Sequence, residues 1–394
     1  EQIFGIAEEA SRLGIEMLVL DDGWFGKRDD DNSGLGDWFV NEKKMNGSMA
    51  QLAEKIHKMG MKFGLWFEPE MISEDSDLYR AHPDWILQTP QRHSCHGRNQ
   101  YVLDFSRKEV VDCIYEMMYK ILSEAKVSYI KWDMNRSITE CCSAALPADR
   151  QGEVFHRYIL GVYDLYERLN TAFPQILFES CASGGGRFDP GILYYAPQGW
   201  TSDDTDAAER VKIQYGTSMC YPVSSMGSHV SVVPNHQLNR KTPLHTRANV
   251  AYFGTFGYEL DLNKLSDEEI SEVKQQITFM KEYRELIQFG TFYRLKSPFE
   301  GNETVWMTVS EDKKTALVFW YRERNVVNAD FTRVRLQGLD PDLIYRNEYN
   351  ETENYGDELM NLGLLTTDCT AGEPTSEDEP CTDYESRIYV LTAK

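Results

Sequence analysis

The sequence predicts an α/β protein, a (β/α)8 TIM barrel whose first strand is missing from this chain, followed by a small all-β antiparallel C-terminal sandwich. Three observations predict it. Short apolar runs alternate with helical periodicities at the β/α interval. Polar residues, most of them acidic, gather where each run ends, which is where such barrels carry their chemistry. From about residue 297 the alternation stops, and short strands of alternating polarity are separated by turn-rich stretches.

The first fourteen residues, EQIFGIAEEASRLG, place Ile3, Ile6, Ala7, Ala10 and Leu13 at helical spacing and stop at a glycine. The next run, EMLVLDDGWF at 16–25, is apolar and then acidic, as a buried parallel strand reads at its carboxyl end. The pattern repeats with a helix at 50–60 and a strand at 61–71, a strand at 101–106, a helix at 108–125 and a strand at 127–133. It continues with a helix at 152–173, a strand at 175–180, a strand ending in GWTSDD at 199–204 and a last strand near 223–230. These make seven strands. Residue 1 falls inside a helix, so the first barrel strand is expected upstream of this chain. The helix at 267–287 would be the barrel's last, with the barrel spanning 1–296 and the sandwich 297–394. The sandwich strands are expected at 304–310, 315–321, 331–339 and 387–393, with the acidic stretch 366–380 as a solvated loop.

A net charge of −22 argues against nucleic acid and anionic membranes as partners and fits a neutral substrate. No stretch approaches the roughly 20 apolar residues of a membrane helix. The eight cysteines show no CxxC pair and no histidines at ligand spacing, so reduced thiols in a cytoplasmic setting are expected, with no metal.

The strand ends deliver Asp21 and Asp22, then Trp66, Glu68 and Glu70, then Asp104, then Lys131, Asp133 and Asn135, then Glu179, Cys181 and Ser183, then Asp203 and Asp204. Such a density of carboxylates suits divalent-metal enzymes and glycoside hydrolases. In KWDMN, alternation turns Lys131, Asp133 and Asn135 one way and Trp132 and Met134 the other. The lysine favours an ionised Asp133, as a nucleophile requires, and Asn135 can orient it. A buried Lys–Asp pair that merely closes a strand would read the same way.

In WTSDDTDA, crowded acids favour one that keeps its proton as general acid, while Ser202, Asp203 or Asp204 could equally cap a helix. The loop CASGGGRFDP lets backbone approach a ligand but lacks the lysine and spacing of a phosphate loop, and Cys181 in it has no histidine partner. Asp21 and Asp22 beside Trp24 suit sugar hydroxyls or half of a metal site. Trp24, Trp38, Trp66, Trp132 and Trp200 near the rim favour stacking on sugar faces, although any one of them could be core. Arg98, ahead of a strand, could donate to a hydroxyl or form a surface ion pair.

The runs LDDGWFGKRDDDNSGLGDW, GLWFEPEMI, YVLDFSR, YIKWDMNR, FESCASGGGRFDPG and WTSDDTDA, in this order, resemble the bacterial α-galactosidases of glycoside hydrolase family 36, the melibiases. The resemblance runs from about residue 15 to the C-terminus. It implies a retaining hydrolase of terminal non-reducing α-D-galactosyl residues, as in melibiose and raffinose, with no cofactor. Carried over, Asp133 matches the nucleophile and Asp203 the acid/base, with Asp204 the alternative register. Asp21 and Asp22 match the pair that binds the 4- and 6-hydroxyls. Trp66, Arg98, Lys131, Trp132 and Asn135 fall among further sugar contacts, and Cys181 with its glycine loop lies near the 2-hydroxyl. A retaining mechanism implies roughly 5 to 6 Å between the two carboxyls. An α-N-acetylgalactosaminidase, a transgalactosylase and an inactive sugar-binding fragment stay open on the same scaffold. Family members also carry an N-terminal β-sandwich and a first barrel strand. That region lends an aromatic residue to a neighbouring site in a tetramer, so a homo-oligomer is implied for the full-length enzyme.

Overall fold

The computed structural model describes residues 2–326, 331–366 and 383–394. The chain forms two compact units, Glu1–Trp200 and Thr201–Lys394.

In the first unit five strands lie side by side in chain order: β1 Met17–Leu20, β2 Lys62–Phe67, β3 Tyr129–Trp132, β4 Leu177–Ser180 and β5 Gln198–Trp200. The ladders from β1 through β4 are parallel, with Leu20 opposite Leu65, Trp66 opposite Lys131, and Lys131 opposite Glu179. Helices Met49–Lys58, Lys108–Glu124, Val154–Ala172 and Pro190–Tyr195 precede β2 to β5 in turn. Each buries one apolar stripe, as Val110, Ile114, Met118 and Ile121 do on the second of them. The opening helix Gln2–Leu13 buries Ala7, Ala10 and Leu13, and Gly14 ends it at a φ of +90°.

One expected barrel strand is something else. Tyr101–Val102 pairs antiparallel with Met71–Ile72, outside the parallel sheet. A short apolar run before a turn reads alike for a buried parallel strand and for one arm of a small ribbon, so the sequence could not separate them. Asp104 consequently sits at no parallel strand end. It is fully buried and accepts bonds from the Ser106 hydroxyl and amide and from the Ser143 hydroxyl, which fixes a connecting loop.

In the second unit β6 Met226–Ser231 pairs parallel with β7 Thr255–Glu259. The latter, TFGYE, went unread because it is short and glycine-bearing. Gly257 is required there, since a Cβ would stand 2.7 Å from the His229 ring. Five parallel strands in one unit and two in the other make seven.

Six antiparallel strands follow, in the sheet order β8 Thr291–Lys296, β9 Glu303–Val309, β10 Thr315–Arg322, β13 Glu385–Ala393, β11 Ile344–Asn347 and β12 Glu353–Tyr355. A two-stranded ribbon, Arg333–Val334 with Leu364–Leu365, brings Val334 and Leu364 into one core with Val305, Met307, Val318 and Tyr389. On the sheet's other face the Phe253 ring meets Trp306 at 5.7 Å and Phe319 at 5.9 Å. Asn249 and Thr246 bond to Ser386 there. The sheet thus packs on the helix Leu244–Ala251, which explains why both belong to one compact unit. The change to antiparallel structure falls inside that unit, between helix Asp267–Phe289 and β8. The stretch expected as an acidic loop, apart from Thr366, lies outside the described residues, as do Cys369 and Cys381. No described helix is long and apolar enough to cross a membrane.

Candidate active site

Asp133 follows β3 directly, and only 7 % of it is exposed. Its Oδ2 accepts from Trp66 Nε1 at 3.1 Å and from Asn135 Nδ2 at 2.7 Å, while Oδ1 accepts from the Met134 amide at 2.8 Å. Three N–H donors on one buried carboxyl hold it in a fixed orientation. Alternation along the strand turns Lys131 to the same side. Burial works against the Lys131 charge, and the carboxylates of Asp21, Glu179 and Asp133 more than offset it, so the ammonium's pKa is raised. Its Nζ also stands 5.4 Å from the centre of the Trp200 ring.

Asp21 follows β1 and is exposed; its Oδ1 accepts the Asp22 amide at 2.8 Å. Asp22 is clasped by Arg28, whose Nε and Nη2 donate to its carboxylate at 3.1 and 2.8 Å. Arg28 is itself 6 % exposed and donates to the Ser33 carbonyl at 3.1 Å. Cys181 follows β4, with its amide on the Trp132 carbonyl at 2.7 Å. Burial first and the Asp133 charge second push its thiol well up, so it stays protonated and is no nucleophile. In the loop after it Gly186 lies against the chain, where a Cβ would meet the Ala182 carbonyl at 2.7 Å. Arg98 is exposed at the tip of a turn closed by the Gln100 amide on the Gly97 carbonyl at 3.1 Å.

The first unit therefore gathers Asp21, Trp66, Lys131, Asp133, Asn135 and Cys181, with Asp22 beside Asp21. Trp132 is not among them. It is fully buried, stacks on Tyr166 at 3.9 Å and donates its indole N–H to Glu70 at 2.8 Å. It points away from Asp133, as strand alternation requires, and is core rather than a sugar platform. Trp24 and Trp38 are corrected in the same way, being 1 % and 2 % exposed and clustered with Phe25, Trp66 and Phe67.

In the second unit Asp203 and Asp204 are partly exposed ahead of the helix Ala207–Ser218. The cap of that helix is Asp206, not Ser202, Asp203 or Asp204 as the sequence suggested. Its Oδ2 accepts the Ala208 and Glu209 amides at 3.1 and 3.2 Å, and Arg240 at 2.5 Å. Asp204 instead accepts the Asp206 amide at 3.1 Å, and its own amide donates to the Ser202 hydroxyl at 3.0 Å.

The sequence placed Glu68 and Glu70 at a strand end without giving them a role, and the partners that make them supports went unread. Glu70, fully buried, receives Arg187 through both nitrogens at 2.7 and 2.8 Å, along with the Tyr158 hydroxyl at 2.5 Å. Glu68 receives Asn135 and Gln100. Their only sequence signal was the EPE that follows β2.

A melibiase family model matches residues 1–290, and the model of the glycosyl hydrolase family 36 C-terminal domain matches 303–391. The chain belongs to glycoside hydrolase family 36. It is 55% identical over 364 residues to the α-galactosidase AgaA of Geobacillus stearothermophilus, covering 92% of this chain and 50% of that protein. It is 51% identical over 364 residues to the bifunctional α-galactosidase/sucrose kinase AgaSK of Mediterraneibacter gnavus, covering 92% and 38%. The crystal structure of AgaA superposes with a TM-score of 0.94 at 52% identity, over 100% of this chain and 53% of that one. A variant of AgaA in complex with raffinose gives 0.94 at 51%, with the same coverage. The family member thus carries the fold expected from its strand pattern, a barrel-like parallel sheet followed by an antiparallel β domain. The chain spans about half the length of AgaA and 38% of that of AgaSK.

Proposed function

We propose that the chain carries the catalytic residues of a retaining α-galactosidase that releases terminal non-reducing α-D-galactosyl residues from raffinose-type oligosaccharides. The observation that carries the reading is the three-donor clasp on Asp133, beside a lysine, in a chain whose curated relatives are α-galactosidases. Asp133 attacks the anomeric carbon as the glycosidic C–O bond breaks, and Asp203 gives its proton to the departing oxygen. Asp204 is the alternative for that role. The resulting glycosyl ester is then hydrolysed: the carboxylate of Asp203 takes a proton from water, the water oxygen bonds to the anomeric carbon, and Asp133 leaves as carboxylate.

Asp21 and Asp22 accept hydroxyl hydrogens of the sugar, where a hydrogen-bonding site discriminates far better than an apolar one. Lys131 and Arg98 supply donors, Trp66 and Asn135 line the sugar site while their N–H groups hold Asp133, and the Cys181 thiol forms a neutral wall. In this reading the residues to about 296 form the catalytic barrel and the remainder a β domain. The full-length enzyme is a cytoplasmic homo-oligomer. Raffinose bound to the AgaA variant and stachyose bound to another variant support the substrate class.

The test is release of p-nitrophenol from its α-galactoside by the chain and by the full-length natural protein containing it, each with and without Asp133→Ala. Hydrolysis that the substitution lowers by about a thousandfold or more is expected. Full activity in Asp133→Ala, or no release by either protein, would overturn the reading.

A further inference from the structure

We infer that Glu68 is the positioning residue of this site, acting on Asp133 through the side-chain amide of Asn135. The inference rests on the reading of Asp133 as the nucleophile. Glu68 follows β2 directly and is 1 % exposed. Its Oε1 accepts from the Asn135 backbone amide at 2.5 Å and from Gln100 Nε2 at 2.8 Å, and its Oε2 accepts from Asn135 Nδ2 at 3.1 Å. The other hydrogen on that Nδ2 is directed to Asp133 Oδ2 at 2.7 Å.

Both amide hydrogens of Asn135 are therefore committed, one to each carboxylate. A flipped amide would turn its oxygen toward two carboxylates at once, so Glu68 and Asp133 together admit a single orientation. Glu68 extends the same hold to the turn that carries Arg98. Gln100, 2 % exposed, closes that turn, and its carbonyl accepts from Arg136 Nη1 at 2.7 Å. A single buried carboxylate thus spans the loops after two parallel strands and a turn between them.

All three of its partners are donors, which makes Glu68→Gln informative. In either orientation its NH2 faces an N–H, against Asn135 Nδ2 in one and against the Asn135 and Gln100 nitrogens in the other. Size is kept while the donor that Asp133 relies on is displaced. A buried donor left without its acceptor corresponds to about a tenfold change or more.

Burial first, and the Asp133 charge second, raise the Glu68 pKa above the ordinary carboxylate range. A protonated Glu68 presents an O–H where glutamine presents an N–H. The two proteins should then converge as the pH is lowered. Of the groups around Glu68, Asn135 and Gln100 do not titrate, and Asp133, whose charge acts on it, is present in both proteins.

The experiment is a kinetic cycle in the full-length natural protein with p-nitrophenyl α-galactoside, comparing wild type, Glu68→Gln, Asn135→Ala and the double variant, with Asp133→Ala as control. Expected are, at a pH above about 8, a fall in kcat of about tenfold or more in Glu68→Gln with KM within about threefold, and a gap to wild type that narrows as the pH falls through about 8. The double variant should be no slower than Asn135→Ala, because Glu68 acts through that amide. A Glu68→Gln kcat within twofold of wild type, or losses that multiply in the double variant, would overturn the inference while inactivity of Asp133→Ala left the nucleophile reading standing. An active Asp133→Ala would overturn both. Glu68→Asp keeps the acceptors but withdraws them by one methylene, and it takes the place of Glu68→Gln in the cycle if that variant does not fold.

Discussion

Replacing Arg187 by Met should destabilise the first unit by about 3 to 5 kcal/mol, because it strands a buried charge. The geometry sets that range. Glu70 is fully buried, the Arg187 side chain is 11% exposed, and the two meet through both guanidinium NH2 groups at 2.7 and 2.8 Å. Methionine fills much of the arginine's volume but leaves the Glu70 carboxylate with the Trp132 indole and the Tyr158 hydroxyl as its donors among the described residues. In a unit of this size the loss corresponds to a fall in Tm of about 6 to 20 °C. Differential scanning calorimetry with urea unfolding as a second probe measures it. The double variant Glu70→Gln with Arg187→Met supplies the control. Its amide oxygen can still accept from Trp132, its NH2 can donate to Tyr158, and no charge remains. It should therefore recover about 2 kcal/mol or more relative to Arg187→Met alone. A single-variant loss below about 1 kcal/mol, or a double variant no more stable than Arg187→Met, would refute the account.

Three further outcomes follow from the same contacts. Arg28→Ala frees Asp22 and should raise KM for an α-galactoside about tenfold with kcat little changed; an unaltered KM in steady-state assays would show that Asp22 needs no clasp. Iodoacetamide at neutral pH should label exposed Cys95, Cys141 and Cys220 while sparing Cys181, whose thiol burial pushes up, and peptide mapping that finds Cys181 modified in the folded protein would contradict this. Glu153, bonded to Arg150 and Arg157, has its pKa lowered from 4.5 to about 2, so its small contribution to stability is present above pH 4.5 and lost as the pH falls through about 2. The Tm difference between wild type and Glu153→Gln should shrink over that window, and a difference that grows on acidification would reverse the sign of the argument.

What the sequence made legible was whatever follows from period and position. The apolar runs at β1 to β6 and the helices ahead of β1 to β4 were readable because each element buries one continuous face. Lys131, Asp133 and Asn135 were readable because alternation from a buried strand sends them one way. The same rule, applied to Trp132, already turned it to the core, yet family resemblance drew it into the site. Tyr101–Val102 and β7 were misread for a different reason. A run of two to five residues has too little period to reveal its partner, and partner choice is decided by distant chain. The helix cap in SDDTD was misplaced because three aspartates offer equivalent side chains, and only the helix start at Ala207 selects Asp206. Glu68, Glu70 and Arg187 were invisible as supports, since a hydrogen bond between residues 67 or 117 positions apart leaves no local mark.

Those long-range bonds explain why the end of β3 should run in the order Lys131, Trp132, Asp133. Consecutive residues of β3 and the loop after it face two separate networks. On one side Trp132 is fixed through Glu70 to Arg187 in the glycine loop and to Tyr158 on a flanking helix. On the other, Asp133 is held by Trp66 and by an Asn135 that Glu68 orients. Each network ends on a glutamate of the same EPE segment, so two neighbouring acids anchor the two faces of one strand end. Packing alone would locate Trp132 to within a rotamer, but a reacting carboxyl needs its oxygens fixed in direction as well as place. Buried donors on both sides provide that second constraint. The desolvation it costs is offset only while every partner is present. The same arrangement should therefore make the site intolerant of single polar substitutions at positions 68, 70 and 187, and more tolerant of paired replacements that remove donor and acceptor together.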